Sequence, residues 1–218
     1  MIEQPAFLQC RCGSCRITLT DPAMRAHTEC FCFDCRQRGM ISASKRPGNS
    51  LPIEVENFDR GVDLVYFSNA LIVDEASQAL LEFSKLTSDG FNTTAMALCC
   101  GTLMCGTHPM YQGNTISVNA DSCRVTTPSS IPLQAVVFAC DAPKEKAAVI
   151  AQRSHVPVFF DVYSELEHRT LKTFVESVTA TISTTAKEAA TTSFEALGFN
   201  KPLTICSDFV EESRDGTT

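Results

Sequence analysis

Cysteine spacing constrains this chain more than any other feature of its sequence. Nine of its twelve cysteines fall in three clusters, which read C-R-C-G-S-C at 10–15, C-F-C-F-D-C at 30–35 and C-C-G-T-L-M-C at 99–105. Two cysteines separated by one or two residues can turn both sulfurs toward one point about 2.3 Å away, as tetrahedral zinc requires. The clusters therefore predict zinc ligation.

Disulfides are the rival explanation, because they also tie together small secreted domains. The first nine residues have no basic start followed by an apolar run, so no secretory signal is expected. No stretch approaches about 18 consecutive apolar residues, so no membrane span is expected either. We therefore expect a cytoplasmic protein whose reduced thiols can bind metal. The isolated Cys123, Cys140 and Cys206 fit buried small hydrophobic residues better than ligands.

Size and charge narrow the class of partner. The 218 residues, 44% of them hydrophobic, suffice for one domain with an elaboration or for two small domains. A net charge of -7 disfavours nucleic acid, because phosphate binding depends on clustered Lys and Arg. The local basic stretch Arg36, Arg38, Lys45 and Arg46 favours an anionic small molecule instead, with a solvated surface as the alternative for each charge.

Hydrophobic patterning predicts a mainly β fold. Alternating or continuous apolar runs, separated by Gly, Pro and Asn clusters, predict strands at 16–20, 62–67, 116–118 and 135–139. Apolar residues at helical spacing predict a helix within 74–85. Residues 1–127 are therefore predicted to form a small zinc-binding β domain.

Residues 128–218 predict a C-terminal α/β extension packed on that domain. Asp141 can cap a helix that runs to residue 152, with Pro143 in its first turn. A buried strand is predicted at 156–163, and an apolar stripe predicts a helix over 166–190.

The order of the cysteine clusters resembles that of the glutathione-dependent formaldehyde-activating enzyme family, which also includes centromere protein V. The matching segments are C-R-C-G at 10–13, C-F-C-F-D-C-R-Q-R-G at 30–39 and C-G-T-L-M at 100–104, followed by I-S-V-N-A at 116–120. The resemblance covers residues 8 to 125. Three clusters in this order are a specific signal, whereas any one alone would be weak.

The resemblance implies a small zinc-stabilised β-sheet body with two zinc sites. In that family the first and the late cysteine pairs close a four-sulfur structural zinc, and the middle cluster gives three thiolates to a second zinc. Four protein ligands saturate zinc, whereas three leave one position open for water or substrate. Cys30, Cys32 and Cys35 are therefore the expected ligands of a catalytic zinc.

The late cluster departs from the family pattern C-x-x-C-G-T, because Ala97 stands three residues before Cys100. Adjacent cysteines seldom share one tetrahedral ion comfortably, whereas the loop after Cys100 could bend back to bring in Cys105. A degenerate, empty site is the alternative. The structural zinc is assigned to Cys10, Cys12, Cys100 and Cys105, with Cys99 in reserve.

The family reaction adds the thiol of glutathione to formaldehyde and gives S-hydroxymethylglutathione. A zinc held by three cysteines could deliver the thiol as thiolate or polarise the carbonyl, and three donating thiolates favour the first role. We therefore expect a zinc-dependent, carbon-sulfur lyase-like enzyme acting on a glutathione or other thiol adduct, or on a small carbonyl compound. If the extension caps the site with Phe159, Phe160 and Tyr163, the substrate is larger and more apolar than formaldehyde, as in secondary metabolism.

Several other side chains are candidates for roles at the second site. Arg36 and Arg38 could bind a carboxylate of glutathione. His27 and Glu29 precede Cys30 and could shuttle a proton, with His27 preferred by its ordinary pKa.

Two roles and one alternative function stay open. Asp34 is a turn residue or a support for the metal ligands, and His108 could replace a missing sulfur. The alternative function is a non-catalytic, zinc-stabilised module whose later helices dock a partner protein, and a homo-oligomer is compatible with either function.

Overall fold

The computed structural model describes residues 6–48, 61–128, 130–151, 155–180 and 191–206. The strands are β1 (Ala6–Gln9), β2 (Arg16–Leu19), β3 (Ala26–Cys30), β4 (Val62–Ser68), β5 (Leu71–Ile72), β6 (Leu81–Lys85), β7 (Thr93–Ala97), β8 (Thr102–Thr107), β9 (Thr115–Asn119), β10 (Arg124–Thr126), β11 (Ala135–Val137), β12 (Val158–Phe159) and β13 (Leu203–Ile205). The helices are α1 (Phe33–Ser44), α2 (Glu75–Ala79), α3 (Lys144–Ala151), α4 (Arg169–Thr179) and α5 (Phe194–Gly198), with short 3-10 helices at Pro109–Tyr111 and Ala139–Asp141.

Two sheets form the body, which confirms the mainly β prediction. One has four antiparallel strands in the order β10-β1-β2-β5, and the other has nine strands in the order β12-β11-β3-β4-β9-β8-β7-β6-β13. Leu8 and Ile17 of the small sheet share one buried cluster with Phe67 and Ile116 of the large sheet. The finer assignment to the formaldehyde-activating type stays a prediction.

The large sheet has a second apolar face, which carries the later part of the chain. Period-two alternation in β4 directs Val65 and Phe67 to the core between the sheets, and Leu64 and Tyr66 to the opposite face. Helix α4 covers this opposite face, where the Phe174 ring lies 5.9 Å from the Tyr66 ring in an edge-to-face contact. Its apolar stripe therefore packs against the sheet.

Residues beyond 128 also extend both edges of the large sheet. Strand β11 pairs in parallel with β3 and with β12, and β13 pairs in parallel with β6. The boundary predicted between 127 and 128 stays a prediction, but the strands on its two sides share one sheet.

The structure corrects several predicted elements. The helix expected within 74–85 ends at Ala79, because Leu81 and Phe83 alternate toward the core as strand β6. Helix α1 is absent from the prediction, since buried Gln37 and Arg38 break its apolar pattern. The strand predicted at 156–163 is only Val158–Phe159.

The two helices of the extension are confirmed in part. Helix α3 occupies 144–151 of the predicted segment, and residue 152 lies outside the described residues. Helix α4 occupies 169–179, and the predicted continuation over 181–190 lies outside them too. None of the helices in the described ranges is both long enough and apolar enough to cross a bilayer.

Candidate metal centres

Four cysteines from two turns meet at one end of the core. Cys10 and Cys12 lie in the turn between β1 and β2, and Cys99 and Cys100 lie in the turn between β7 and β8. The sulfur-sulfur distances are 3.5 Å for Cys10–Cys12, 3.7 Å for Cys10–Cys99, 3.3 Å for Cys12–Cys99 and 3.9 Å for Cys99–Cys100. A regular tetrahedron with zinc-sulfur bonds of about 2.3 Å has edges of about 3.8 Å. The four-cysteine group therefore fits a tetrahedral zinc ion.

Hydrogen bonds within the first turn prepare its sulfurs for a cation. The Cys15 N–H donates to the Cys10 sulfur at 3.2 Å. A side-chain hydrogen bond with Ser14 is the largest of several causes that lower the pKa of Cys12 to about 6. Cys12 therefore carries a thiolate at neutral pH, which is the form that binds zinc.

Cys105, the predicted fourth ligand, lies outside this group. It sits within β8, paired with Ala95 of β7, where burial raises the pKa of its thiol. A strand advances about 3.3 Å per residue, so the chain after Gly101 runs away from the turn and does not bend back. The reserve residue Cys99 takes its place, because the turn directs the sulfurs of both Cys99 and Cys100 to one side.

Three further cysteines meet where β3 ends and α1 begins. Cys30 is the last residue of β3, Cys32 is the N-cap of α1, and Cys35 lies in its first turn. Their sulfurs all lie within 4.8 Å of one another, and the Cys35 N–H donates to the Cys32 sulfur at 3.4 Å. The positive end of the helix dipole favours negative charge on these sulfurs.

The three thiols of this group share negative charge unequally. Hydrogen bonds with Cys30 and then Cys32 hold the pKa of Cys35 well below its ordinary value. The pKa of Cys30 is raised well above its ordinary value, first by its hydrogen bond with Cys32. One thiolate held by two thiols is an arrangement that a bound cation would convert to three thiolates. The donor set therefore fits a zinc ion as well.

A cavity of about 280 Å³ opens over the three-cysteine group. Within the described ranges, no fourth His, Cys, Asp or Glu ligand joins the three sulfurs. Much of the wall comes from the extension, including Phe174 and Val178 of α4 and the contacting rings of Phe138 and Tyr163. Phe138 has a left-handed backbone with φ +55°, which is uncommon for a bulky residue. The three-cysteine group thus faces a partly open, mainly apolar cavity.

The extension covers the site, but with a different set of aromatic residues than expected. Tyr163 lines the cavity as predicted. Phe159 lies in the core beneath it, against the His168 ring, and Phe160 is exposed. Sequence reasoning missed Phe138 and Phe174, since only the parallel pairing of β11 with β3 and the position of α4 bring them to the site.

His108, which the sequence offered as a substitute for a missing sulfur, lies outside the four-cysteine group. It lines the cavity over the three-cysteine group instead. Its Nδ1 accepts the Met110 N–H at 2.9 Å, so the neutral ring carries its proton on Nε2. Burial lowers the pKa of His108, so the ring is neutral at pH 7. The cavity thus has a neutral N–H donor on its wall.

His27 and Glu29 do not line the cavity. Successive side chains of a strand point to opposite faces, so Cys30 lies on one face of β3 and both candidates on the other. The His27 Nε2 lies 2.6 Å from an Asp63 oxygen, and its Nδ1 lies 2.9 Å from the Ile131 carbonyl oxygen. The proton shuttle predicted for these residues is therefore not supported by their positions.

The two arginines are also placed differently from the prediction. Arg38 is buried inside α1 and donates to the Thr94 hydroxyl at 3.1 Å and to the Asn92 carbonyl at 3.2 Å. It lines a separate cavity of about 60 Å³ that also touches Cys35, and Arg36 lines neither of the two cavities. The guanidinium of Arg38 therefore offsets negative charge on Cys35 from the side of the smaller cavity.

The three isolated cysteines separate by burial. Cys123 is buried among apolar residues, as predicted, whereas Cys206 is half-buried and Cys140 is exposed. The interpretation of Cys140 as a buried hydrophobic residue is wrong, because it lies on a surface 3-10 helix.

Comparisons with protein-family models, with curated proteins and with solved structures find no match for this chain.

Proposed function

We propose that this chain is a zinc-dependent enzyme of the carbon-sulfur lyase type, whose reaction centre is the group Cys30, Cys32 and Cys35. The observation that carries the proposal is the convergence of three thiols, without a fourth ligand from the described residues, on the wall of a cavity of about 280 Å³. The four-cysteine group would hold a second, structural zinc. The order of the cysteine clusters, which resembles that of formaldehyde-activating enzymes, supports the same reaction class.

A zinc ion held by Cys30, Cys32 and Cys35 would lower the pKa of a thiol at its open position and so favour the thiolate at neutral pH. The chain supplies the surroundings of that ion. The N-terminus of α1 favours negative charge on the three sulfurs, and the buried Arg38 favours it on Cys35. The apolar wall from α4 and Phe138 lowers the local dielectric constant, which strengthens these electrostatic interactions.

His108 is the proposed partner of the carbonyl oxygen. When a thiol adds to a carbonyl, the thiol gives its proton to water and the carbon-sulfur bond forms as the carbon-oxygen π bond breaks. The carbonyl oxygen gains the charge and then takes a proton back from water. The Nε2–H of His108 can donate a hydrogen bond to that oxygen while charge develops. The reverse reaction breaks the carbon-sulfur bond, and His108 serves it equally.

Replacing Cys32 by serine tests this proposal. We expect two zinc ions in the unmodified chain and one in Cys32→Ser, because serine is a poor zinc ligand. We expect Cys32→Ser to slow the formation and breakdown of thiol-aldehyde adducts on the order of 100-fold. Losing the zinc ion would remove a main electrostatic stabilisation of the transition state, and losses of that kind have this size. Elemental analysis of the purified protein gives the zinc content, and adduct formation from formaldehyde and glutathione, then from apolar thiols, gives the rates.

Cys140→Ser is the matched control, because it also removes one thiol but from an exposed position outside both groups. It should keep both ions and the full rate. A single zinc ion that Cys32→Ser leaves in place would contradict the proposed reaction centre. Two ions with no acceleration of any adduct reaction would contradict the enzyme and favour the zinc-stabilised interaction module.

A further inference from the structure

The charge on the cavity wall is unsuited to glutathione. Glutathione carries two carboxylates, and proteins hold carboxylates mainly with Arg, Lys or unoccupied backbone N–H groups. Among the described residues, no lysine or arginine lines the main cavity, whereas Asp34 and Asp141 both do. A carboxylate in this space would meet two acidic side chains and no basic one from the described residues.

The helix N-terminus at the site does not remedy this. The Phe33 N–H of α1 already donates to an Asp141 oxygen at 3.1 Å, and the Cys35 N–H already donates to the Cys32 sulfur. Arg38, whose guanidinium helps to lower the pKa of Cys35, already donates to Thr94 and Asn92 and lines the other cavity. These two N–H groups are therefore already engaged within the protein, and the Arg38 guanidinium lies at the other cavity.

Apart from the uncharged polar residues Asn92, His108 and Thr179, the rest of the wall is mainly apolar and aromatic. The volume of the cavity, about 280 Å³, equals that of about nine water molecules at about 30 Å³ each. Formaldehyde, with two non-hydrogen atoms, would therefore leave most of the cavity empty. An apolar body of one ring or a short chain would fill it and displace that water. The apolar residues come from β4, α4 and the segments before and after β12, and include Leu64, Tyr66, Phe138, Val162, Phe174 and Val178.

From this wall we infer that the cavity selects an uncharged, largely apolar thiol or carbonyl compound and excludes glutathione. The inference rests on the proposed function for the reactive thiol or carbonyl group of the substrate. It rests on the cavity wall for the apolar character of the rest of the substrate. An anionic substrate would lose its hydration without gaining a cation, whereas an apolar one gains contacts with α4 and Phe138.

Binding of three thiols to the cobalt-loaded protein tests this selection. Cobalt in a three-cysteine site changes its visible absorption when a thiol fills the fourth position, whereas a four-cysteine site is saturated and does not respond. The probes are phenylethanethiol, its para-carboxylate analogue and glutathione. We expect phenylethanethiol to bind at least tenfold more tightly than either anionic thiol, because only the carboxylates place a charge against the wall.

A charge placed on the wall should reverse this order. Val175 is half-buried on α4 and lines the cavity. Val175→Lys is expected to tighten the carboxylate analogue at least fivefold and to weaken phenylethanethiol. The matched control is Glu176→Gln, which raises the net charge by the same unit at the next, exposed position of the helix and should leave the order unchanged.

The outcomes separate this inference from the proposed function. If glutathione or the carboxylate analogue binds as tightly as phenylethanethiol, the inference is overturned and the proposed reaction centre stands. If cobalt is bound by Cys30, Cys32 and Cys35 but no thiol changes its absorption, the site has no open position and both proposals fail.

Discussion

Cys99→Ser is expected to remove one of two bound zinc ions and to lower the free energy of unfolding by about 5 kcal/mol or more. Structural zinc contributes about 10–16 kcal/mol to the folding of small zinc domains, and the loss of one of four thiolates forfeits much of that. Cys99 contributes to three of the short sulfur-sulfur contacts in the four-cysteine group. Elemental analysis and urea unfolding at fixed free zinc concentration measure the two effects.

Cys105→Ala is the control, because Cys105 was the fourth ligand expected from sequence. It lies in the buried face of β8, so alanine should leave both ions in place and cost about 1–2 kcal/mol for the small cavity created. Loss of zinc from Cys105→Ala together with retention in Cys99→Ser would refute the four-cysteine group described above.

The two cysteine groups differed in how far sequence could define them. Cys30, Cys32 and Cys35 lie on one short segment, so their spacing alone predicts that they meet. The four-cysteine group needs two turns from distant parts of the chain, and its fourth member depends on the backbone of the turn before Gly101. Spacing could not choose between Cys99 and Cys105, because that choice is made by where β8 begins.

The same limit explains the other corrections at the site. His27 and Cys30 are near in sequence, but only the existence of β3 decides that they lie on opposite faces. Arg38 belongs to a basic stretch that looks exposed in the sequence, yet α1 buries it behind Cys35. The cavity wall combines β4, α4 and Phe138, and its apolar character follows from packing that no local pattern encodes.

Helix α1 connects the two cysteine groups, which gives its ends distinct roles. Its N-terminus carries Cys32 and Cys35, and its C-terminal residues contact Gly101 in the turn that carries Cys99 and Cys100. Twelve residues at about 1.5 Å each separate these ends by about 18 Å. The Ser42 hydroxyl of α1 donates to the Gly101 carbonyl and fixes this contact. A change at Gly101 should therefore disturb both the four-cysteine group and the position of α1.

Gly101→Ala is expected to lower the free energy of unfolding by about 2–5 kcal/mol and to weaken zinc retention by the four-cysteine group. Gly101 has φ +66°, where a side chain costs about 1–2 kcal/mol. Its added Cβ would also lie 2.9 Å from the Ser42 carbonyl oxygen and from the Lys45 carbonyl carbon. Both are backbone atoms, so relieving the overlap requires α1 to move, at a further cost of about 1–3 kcal/mol. Urea unfolding and the rate of zinc transfer to a chelator measure the two effects.

Gly113→Ala isolates the conformational part of this effect. Gly113 has a similar φ of +72°, but no atom lies within 4 Å of an added Cβ, and the residue belongs to neither cysteine group. It should cost only about 1–2 kcal/mol and leave zinc transfer unchanged. If Gly101→Ala and Gly113→Ala prove equally destabilising, the contact with Ser42 and Lys45 contributes nothing. The proposed link through α1 between the turn that carries Cys99 and Cys100 and the three-cysteine group would then be refuted.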